Sequence, residues 1–136
     1  MKIELFLPFP PSINSYYVKT RNGVFISASG KAYHKRVLED IKEQCGPAFL
    51  PITSNVHLSV VLFMPDKRKR DLDNYMKPLL DSLTRCAFYR DDRQVDQLFV
   101  YRGRGRGIGS STSGSCFIRV TEAAPAVSLE HLALIE

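Results

Sequence analysis

The chain of 136 residues has no apolar run long enough to cross a bilayer, no paired-cysteine spacing and no internal repeat. The first absence argues against a helical membrane protein. The amino terminus "MKIELFLPFPPS" carries an apolar patch, but Glu4 interrupts it and no small-residue cleavage site follows. No secretory signal is expected there, and the expected compartment is the cytoplasm. Cys45, Cys86 and Cys116 are odd in number and far apart, which argues against both a disulfide framework and a zinc site and leaves reduced, buried thiols. His34, His57 and His131 are scattered, with no pair at helical metal-binding spacing, and are read as non-ligands. What remains is an ordinary globular balance, 44% hydrophobic and 24% charged, in a length that suits one compact domain. The formal net charge of +5 points, weakly by itself, to a polyanionic partner.

The elements follow from local pattern. "IELFLPF" reads as a strand ended by Pro8, Pro10 and Pro11, which cannot donate to a ladder. "SYYVKT" and "GVFIS" flank Arg21-Asn22-Gly23, and Asn-Gly is the strongest short hairpin signal. From Ser29, the residues Tyr33, Val37, Leu38, Ile41 and Cys45 recur at helical spacing, with Ser27 or Ser29 as the cap and Gly46-Pro47 as the stop. "NVHLSVVLFMP" is nearly all apolar in its second half and is expected to be a central strand covered on both faces. Leu79, Leu80, Leu83 and Ala87 form a stripe for a second helix over about Asn74–Cys86, in which Pro78 fits only in the first turn or at a kink. "QVDQLFVYR" and "SCFIRVT" read as two more strands joined by "GRGRGIGSSTSGS". Strands and helices so interspersed predict an α+β domain with a mixed sheet and two main helices.

The chemistry concentrates in "RKRDLDNYMKPLLDSL". Lys67, Arg68, Lys69 and Arg70 precede Asp71, Asp73 and Asn74, and Asp91 and Asp92 follow the second helix. Clustered carboxylates repel one another unless something compensates, and a hard divalent cation such as Mg²⁺ does so while activating a water and shielding a phosphate. Lys77, one helical turn after Asp73, points from the same face and is placed to stabilise a pentacovalent phosphate or a leaving oxygen. Four adjacent cations suit flanking phosphates. Each feature also has a plainer account. Asp71 or Asp73 caps the helix, Lys77 and Asp81 form a surface pair, and the cations belong to a solvated loop. The combination raises metal-dependent phosphodiester chemistry to an equal footing with these accounts, because a cap needs one acidic residue and not two beside a basic run.

The run "MPDKRKRDLDNYMKPLLDSLTRCAFYRDDRQV" resembles the core of the RusA family of Holliday junction resolvases, small endonucleases of bacteria, prophages and phages. The family pattern passes from a basic stretch through D-x-D-N-x-x-K and x-x-x-D-x-L to a D-D pair, and every element is present. "PFPPSINSYY" and "SASGKAYHKRV" are similar to the family's Pro-Ser-x-Asn segment and first helix. The resemblance covers about residues 3 to 121, which would form the endonuclease domain (1–121), leaving 122–136 as a linker and short amphipathic tail. It implies that Asp71, Asp73, Lys77 and Asp92 are catalytic, that the three carboxylates bind Mg²⁺, and that a homodimer nicks four-way DNA junctions symmetrically. Asn74 either orients a metal ligand by hydrogen bonding or caps the helix, and Asp91 is a helper, a cap or neither.

Two segments depart from the family pattern. The loop from Gly103 to Ser115 looks longer than the family's hairpin there; Arg102, Arg104 and Arg106 alternate in it with glycine, as a phosphate-reaching arm or as a simple connection. The tail carries Leu129, Leu132 and Ile135, read as a packing patch rather than a membrane anchor. The reading is a Mg²⁺-dependent resolvase of DNA recombination and repair. Its rivals are a nuclease acting on other branched DNA or on RNA, and a non-catalytic nucleic-acid-binding protein.

Overall fold

A computed structural model describes residues 1–105 and 113–124. Arg106, most of the Gly/Arg/Ser connection, His131 and the tail with Leu129, Leu132 and Ile135 lie outside the described residues. The element order is β1 (Lys2–Pro8), α1 (Ile13–Tyr16), β2 (Tyr17–Thr20), β3 (Gly23–Ile26), α2 (Ala28–Cys45), β4 (Val56–Phe63), a 3₁₀ turn (Leu72–Tyr75), α3 (Met76–Arg85), a second 3₁₀ turn (Asp92–Gln94), β5 (Val95–Arg102) and β6 (Ser115–Glu122). The main sheet runs β1-β6-β4-β5 and is mixed, since β4 pairs parallel with β5 and antiparallel with β6. The α+β expectation holds. So does the hairpin: β2 and β3 pair through Arg21 and Asn22, with Gly23 at φ 123.

One face of the sheet makes the core. Leu5 and Leu7 of β1, Leu58, Val60 and Leu62 of β4, and Cys116, Ile118 and Val120 of β6 are all buried on it. Tyr33, Val37 and Ile41 of α2 and Leu79 and Leu83 of α3 cover it. Burying each such aliphatic side chain contributes about 1.5–3 kcal/mol. Among the described residues no helix covers the opposite face, which differs from the expectation for β4: its residues alternate buried and half-buried. The apolar run misled because Val61 and Phe63 stand on the open face beside other apolar side chains of the sheet; there Phe6 of β1 packs on Phe117 of β6 at 5.0 Å between ring centroids.

Local chemistry sets the helix ends. Ser27, not Ser29, caps α2 by accepting from the backbone N–H of Gly30 at 3.0 Å, and Gly46 ends the helix at φ 97. "SYY" begins not as strand but as the single turn α1, because Ser12 caps it by accepting from the N–H of Ser15. The second helix also differs from expectation at its start. Pro78 lacks the N–H that would bond the carbonyl of Asn74, so the chain enters through a 3₁₀ turn and Pro78 becomes the third residue of α3, where no donor is required.

β5 and β6 do not form a hairpin, because β4 lies between them. Just before β6, Gly114 sits at φ 76 against the end of β4. A Cβ there would lie 2.7 Å from the carbonyl oxygen of Phe63 and 2.9 Å from the backbone nitrogen of Pro65. Gly114→Ala is therefore expected to destabilise the fold by about 1–3 kcal/mol and lower Tm by roughly 3–10 °C, which calorimetry reads directly.

Candidate active site

Leu72 packs on the core, and Tyr75, Met76, Leu79 and Leu83 are buried. Their inward direction turns the alternate positions outward, so Asp71, Asp73 and Lys77 are all exposed at the entrance of α3. Asp71 precedes the 3₁₀ turn, and its carbonyl, not its carboxylate, accepts from the N–H of Asn74 at 3.2 Å. The Asp71 side chain makes no capping hydrogen bond. Among the described residues, the side chains of Asp71, Asp73 and Asn74 have no hydrogen-bond or ion-pair partner. The capping account of Asp71 is thus not what its geometry shows. Exposed, unpartnered carboxylate oxygens at the ends of a three-residue step fit the donor set of a hard cation that retains waters.

The basic run is organised by a residue that sequence reasoning passed over. Asp66 accepts from the backbone N–H of Arg68 at 2.9 Å, from the Arg68 guanidinium at 3.2 Å, and from both Arg70 terminal nitrogens. These arginines, Arg70 first, hold its carboxyl well below the usual carboxylate range. The D-x-x-x-R spacing of Asp66 and Arg70 was the available signal. Arg70 is committed, with its side chain 13% exposed, whereas that of Arg68 is 79% exposed. The parallel register of β4 and β5 sets Arg102 beside Leu62, and its guanidinium donates to the Arg70 carbonyl at 2.8 Å. Lys67, Arg68, Lys69, Arg70, Asp71 and Arg102 together line an open cleft of about 360 Å³. Arg104 is exposed just beyond β5.

On the other side of Lys77 lies the second acidic pair. Asp91 caps the second 3₁₀ turn by accepting from the N–H of Arg93 at 2.9 Å, while the Gln94 side chain accepts from the Asp91 N–H at 2.9 Å. Of the roles open to Asp91, the geometry displays the cap. The Arg93 backbone and guanidinium lower its pKa. Asp92 is half-buried, and desolvation first, then the neighbouring Asp91, raises its pKa; Lys77 opposes and Asp81 adds to that rise. The structure therefore places Asp92 within the field of Lys77. It does not gather Asp71, Asp73 and Asp92 into one cluster: among the described residues, no three Asp, Glu, His or Cys side chains form a metal-holding group.

Asp81 is not the partner of Lys77. Tyr16, fully buried, donates its hydroxyl to Asp81 at 2.6 Å, and Arg85 pairs with the same carboxylate at 3.3 Å. The Tyr16 hydroxyl also bonds His34 Nε2, so α1, α2 and α3 meet in one polar network behind the site. His57 stacks on Phe99 and bonds Ser59 and Gln97. Lys77 itself stands with Nζ 6.0 Å from the centroid of the Tyr17 ring.

Carboxylates, a lysine and a cationic cleft at the exit of a mixed sheet make a domain suited to phosphodiesters, and comparison with known proteins makes the class definite. Residues 8–114 match the family described as Endodeoxyribonuclease RusA. The chain is 39% identical over 100 residues to the crossover junction endodeoxyribonuclease rusA of Enterobacteria phage HK97, covering 74% of this chain and 82% of that protein. It is 44% identical over 94 residues to the RusA crossover junction endodeoxyribonuclease of Shigella sonnei (strain Ss046), and 43% identical over 94 to that of Escherichia coli (strain K12), in both cases covering 68% of this chain and 75% of the relative. The chain belongs to the RusA family of Holliday junction resolvases, and is a nuclease of the hydrolase class.

Proposed function

We propose that this chain is a Mg²⁺-dependent, structure-selective endodeoxyribonuclease that resolves four-way DNA junctions by paired symmetric hydrolysis, in recombination and repair. The observation that carries the mechanism is the pair of exposed carboxylates of Asp71 and Asp73, which bond no described residue and are set between the basic cleft and Lys77 in a chain of this family. The relatives are named crossover junction endodeoxyribonucleases, and that substrate class is taken over here. The catalytic unit is residues 1–121, and the working compartment is the cytoplasm.

In this mechanism Mg²⁺, when bound, supplies Lewis acidity and an acidified water. Asp71, Asp73 and Asp92 would hold it through their carboxylate oxygens, which requires the second 3₁₀ turn, capped by Asp91, to bring Asp92 to the other two, since the three are not clustered among the described residues of this structure. Asn74, one residue after Asp73, makes no side-chain hydrogen bond to the described residues and would orient a carboxylate only once the metal is held. The Lys77 ammonium neutralises the charge that develops on the phosphoryl or leaving oxygen. Lys67, Arg68, Lys69, Arg102, Arg104 and Arg106 hold flanking phosphates, while Arg70, tied to Asp66, braces the loop that presents them. A four-way junction has two-fold symmetry, so a homodimer with one site per subunit is the simplest way to place two matched nicks. Phe6 and Tyr101, both exposed on the open sheet face, offer apolar surface for that second copy.

Replacing Lys67, Arg68 and Lys69 together by alanine is expected to weaken junction binding and flatten its salt dependence, by about 0.9 in log–log slope for each phosphate that is no longer neutralised. Fluorescence anisotropy across a salt series reads both. The metal requirement is tested by incubating labelled junction with Mg²⁺ or with EDTA. Cleavage with Mg²⁺ alone is expected. Binding without cleavage under both conditions would instead make the chain a non-catalytic nucleic-acid-binding protein, and preference for another branched DNA or for RNA would move the substrate.

A further inference from the structure

A cleft of about 530 Å³ opens between α1, the β2–β3 hairpin and the start of α3, and of its lining the mechanism above uses Lys77 alone. Ile13, Val24 and Tyr17 give it apolar and aromatic surface, and Asn14, Lys19 and Lys77 give it polar groups. Its volume lies within the range of sites for small organic groups, roughly 300–1,000 Å³.

The lining narrows the ligand. Lys77 belongs both to this cleft and, on the endonuclease reading, to the phosphodiester being cut, so whatever occupies the cleft is joined to that phosphate or lies beside it. A tyrosine ring with an ammonium 6.0 Å from its centroid suits a planar base whose own phosphate meets the cation. Val24 is 57% exposed and leaves the apolar surface accessible. The amide of Asn14 is exposed, makes no hydrogen bond to the described residues, and offers the donor–acceptor pair that matches a base edge. A base in continuous duplex is stacked and paired and cannot enter; one at a branch point is already partly released. We infer that this cleft holds one unstacked nucleobase next to the cleaved phosphodiester, and that the contact favours branched DNA over continuous duplex. The inference rests on the endonuclease reading and adds to it the group by which the branch is recognised.

The test is single-turnover cleavage of four-way junctions in which each nucleotide flanking the cleaved bond is replaced in turn by an abasic residue. At one position the replacement is expected to slow the wild-type protein by roughly 5- to 150-fold, the loss of one base stacked on an aromatic side chain. Val24→Trp, which fills the cleft from an exposed position, should slow the intact junction to a similar extent and make the abasic replacement nearly silent. Asn14→Ala, removing only an exposed amide, should make the rate less sensitive to which base stands at that position. The inference is overturned if no abasic position matters, or if the abasic effect persists undiminished in Val24→Trp and the base dependence is unchanged in Asn14→Ala. It is also overturned if Val24→Trp dissociates a dimer in sedimentation, since the cleft is then an interface between copies. Failure of the wild-type protein to cut the intact junction would remove the endonuclease reading itself, and this inference with it.

Discussion

Asp71→Asn, Asp73→Asn and Asp92→Asn are each expected to lower junction cleavage on the order of a thousandfold or more while leaving junction binding unchanged or tighter. Asparagine keeps the shape and removes the charge. The carboxylates of Asp71 and Asp73 are exposed and bond no described residue, so their replacement should change stability by no more than about 0.5 kcal/mol. At these two positions a lost rate is then a lost metal site and not a lost fold. Binding should hold because Lys67, Arg68 and Lys69 are untouched and local repulsion of phosphate falls. Single-turnover cleavage and anisotropy on the same preparations separate the two effects, and full activity in all three variants would end the metal-site assignment.

Lys77→Ala is expected to slow cleavage by roughly 100- to 1,000-fold, the usual effect of removing one donor that acts on developing charge, with junction affinity changed only a few-fold. Lys77 is exposed, and its amine pairs with no carboxylate among the described residues and stands 6.0 Å from the centroid of the Tyr17 ring, so its truncation costs the fold little. A rate loss matched by an equal loss of binding would make Lys77 part of the phosphate grip rather than of the reaction. Neutralising the basic loop should give the opposite pattern, and the pair of results assigns the two roles.

The sequence was most legible where local rules suffice. Ser27, Gly46 and the Asn22-Gly23 turn stand where capping and hairpin chemistry put them, and the period of Leu79 and Leu83 oriented α3 and thereby Asp71, Asp73 and Lys77. It was least legible where the outcome depends on partners far along the chain. Nothing near Ser115 announces that β6 inserts between β1 and β4, which separates it from β5. Val61 and Phe63 look like core, because an apolar residue on an open sheet face has the same composition as one beneath a helix. The polar network has the same origin: Tyr16 and Asp81 are 65 residues apart in sequence, and only the packing of α1 on α3 brings them to 2.6 Å. The nearer surprise, Asp66 neutralising Arg70, was legible as an i,i+4 pair but was hidden by the four consecutive cations that follow it.

Paired cleavage is the central claim, and the most direct measurement is a set of four-way junctions with each strand labelled in turn, alongside a continuous duplex of the same sequence, in Mg²⁺. The account predicts nicks at symmetric positions in two opposing strands, products that a ligase seals into intact linear duplexes, and an uncut control. Nicks in a single strand, or equal cutting of the continuous duplex, would contradict it.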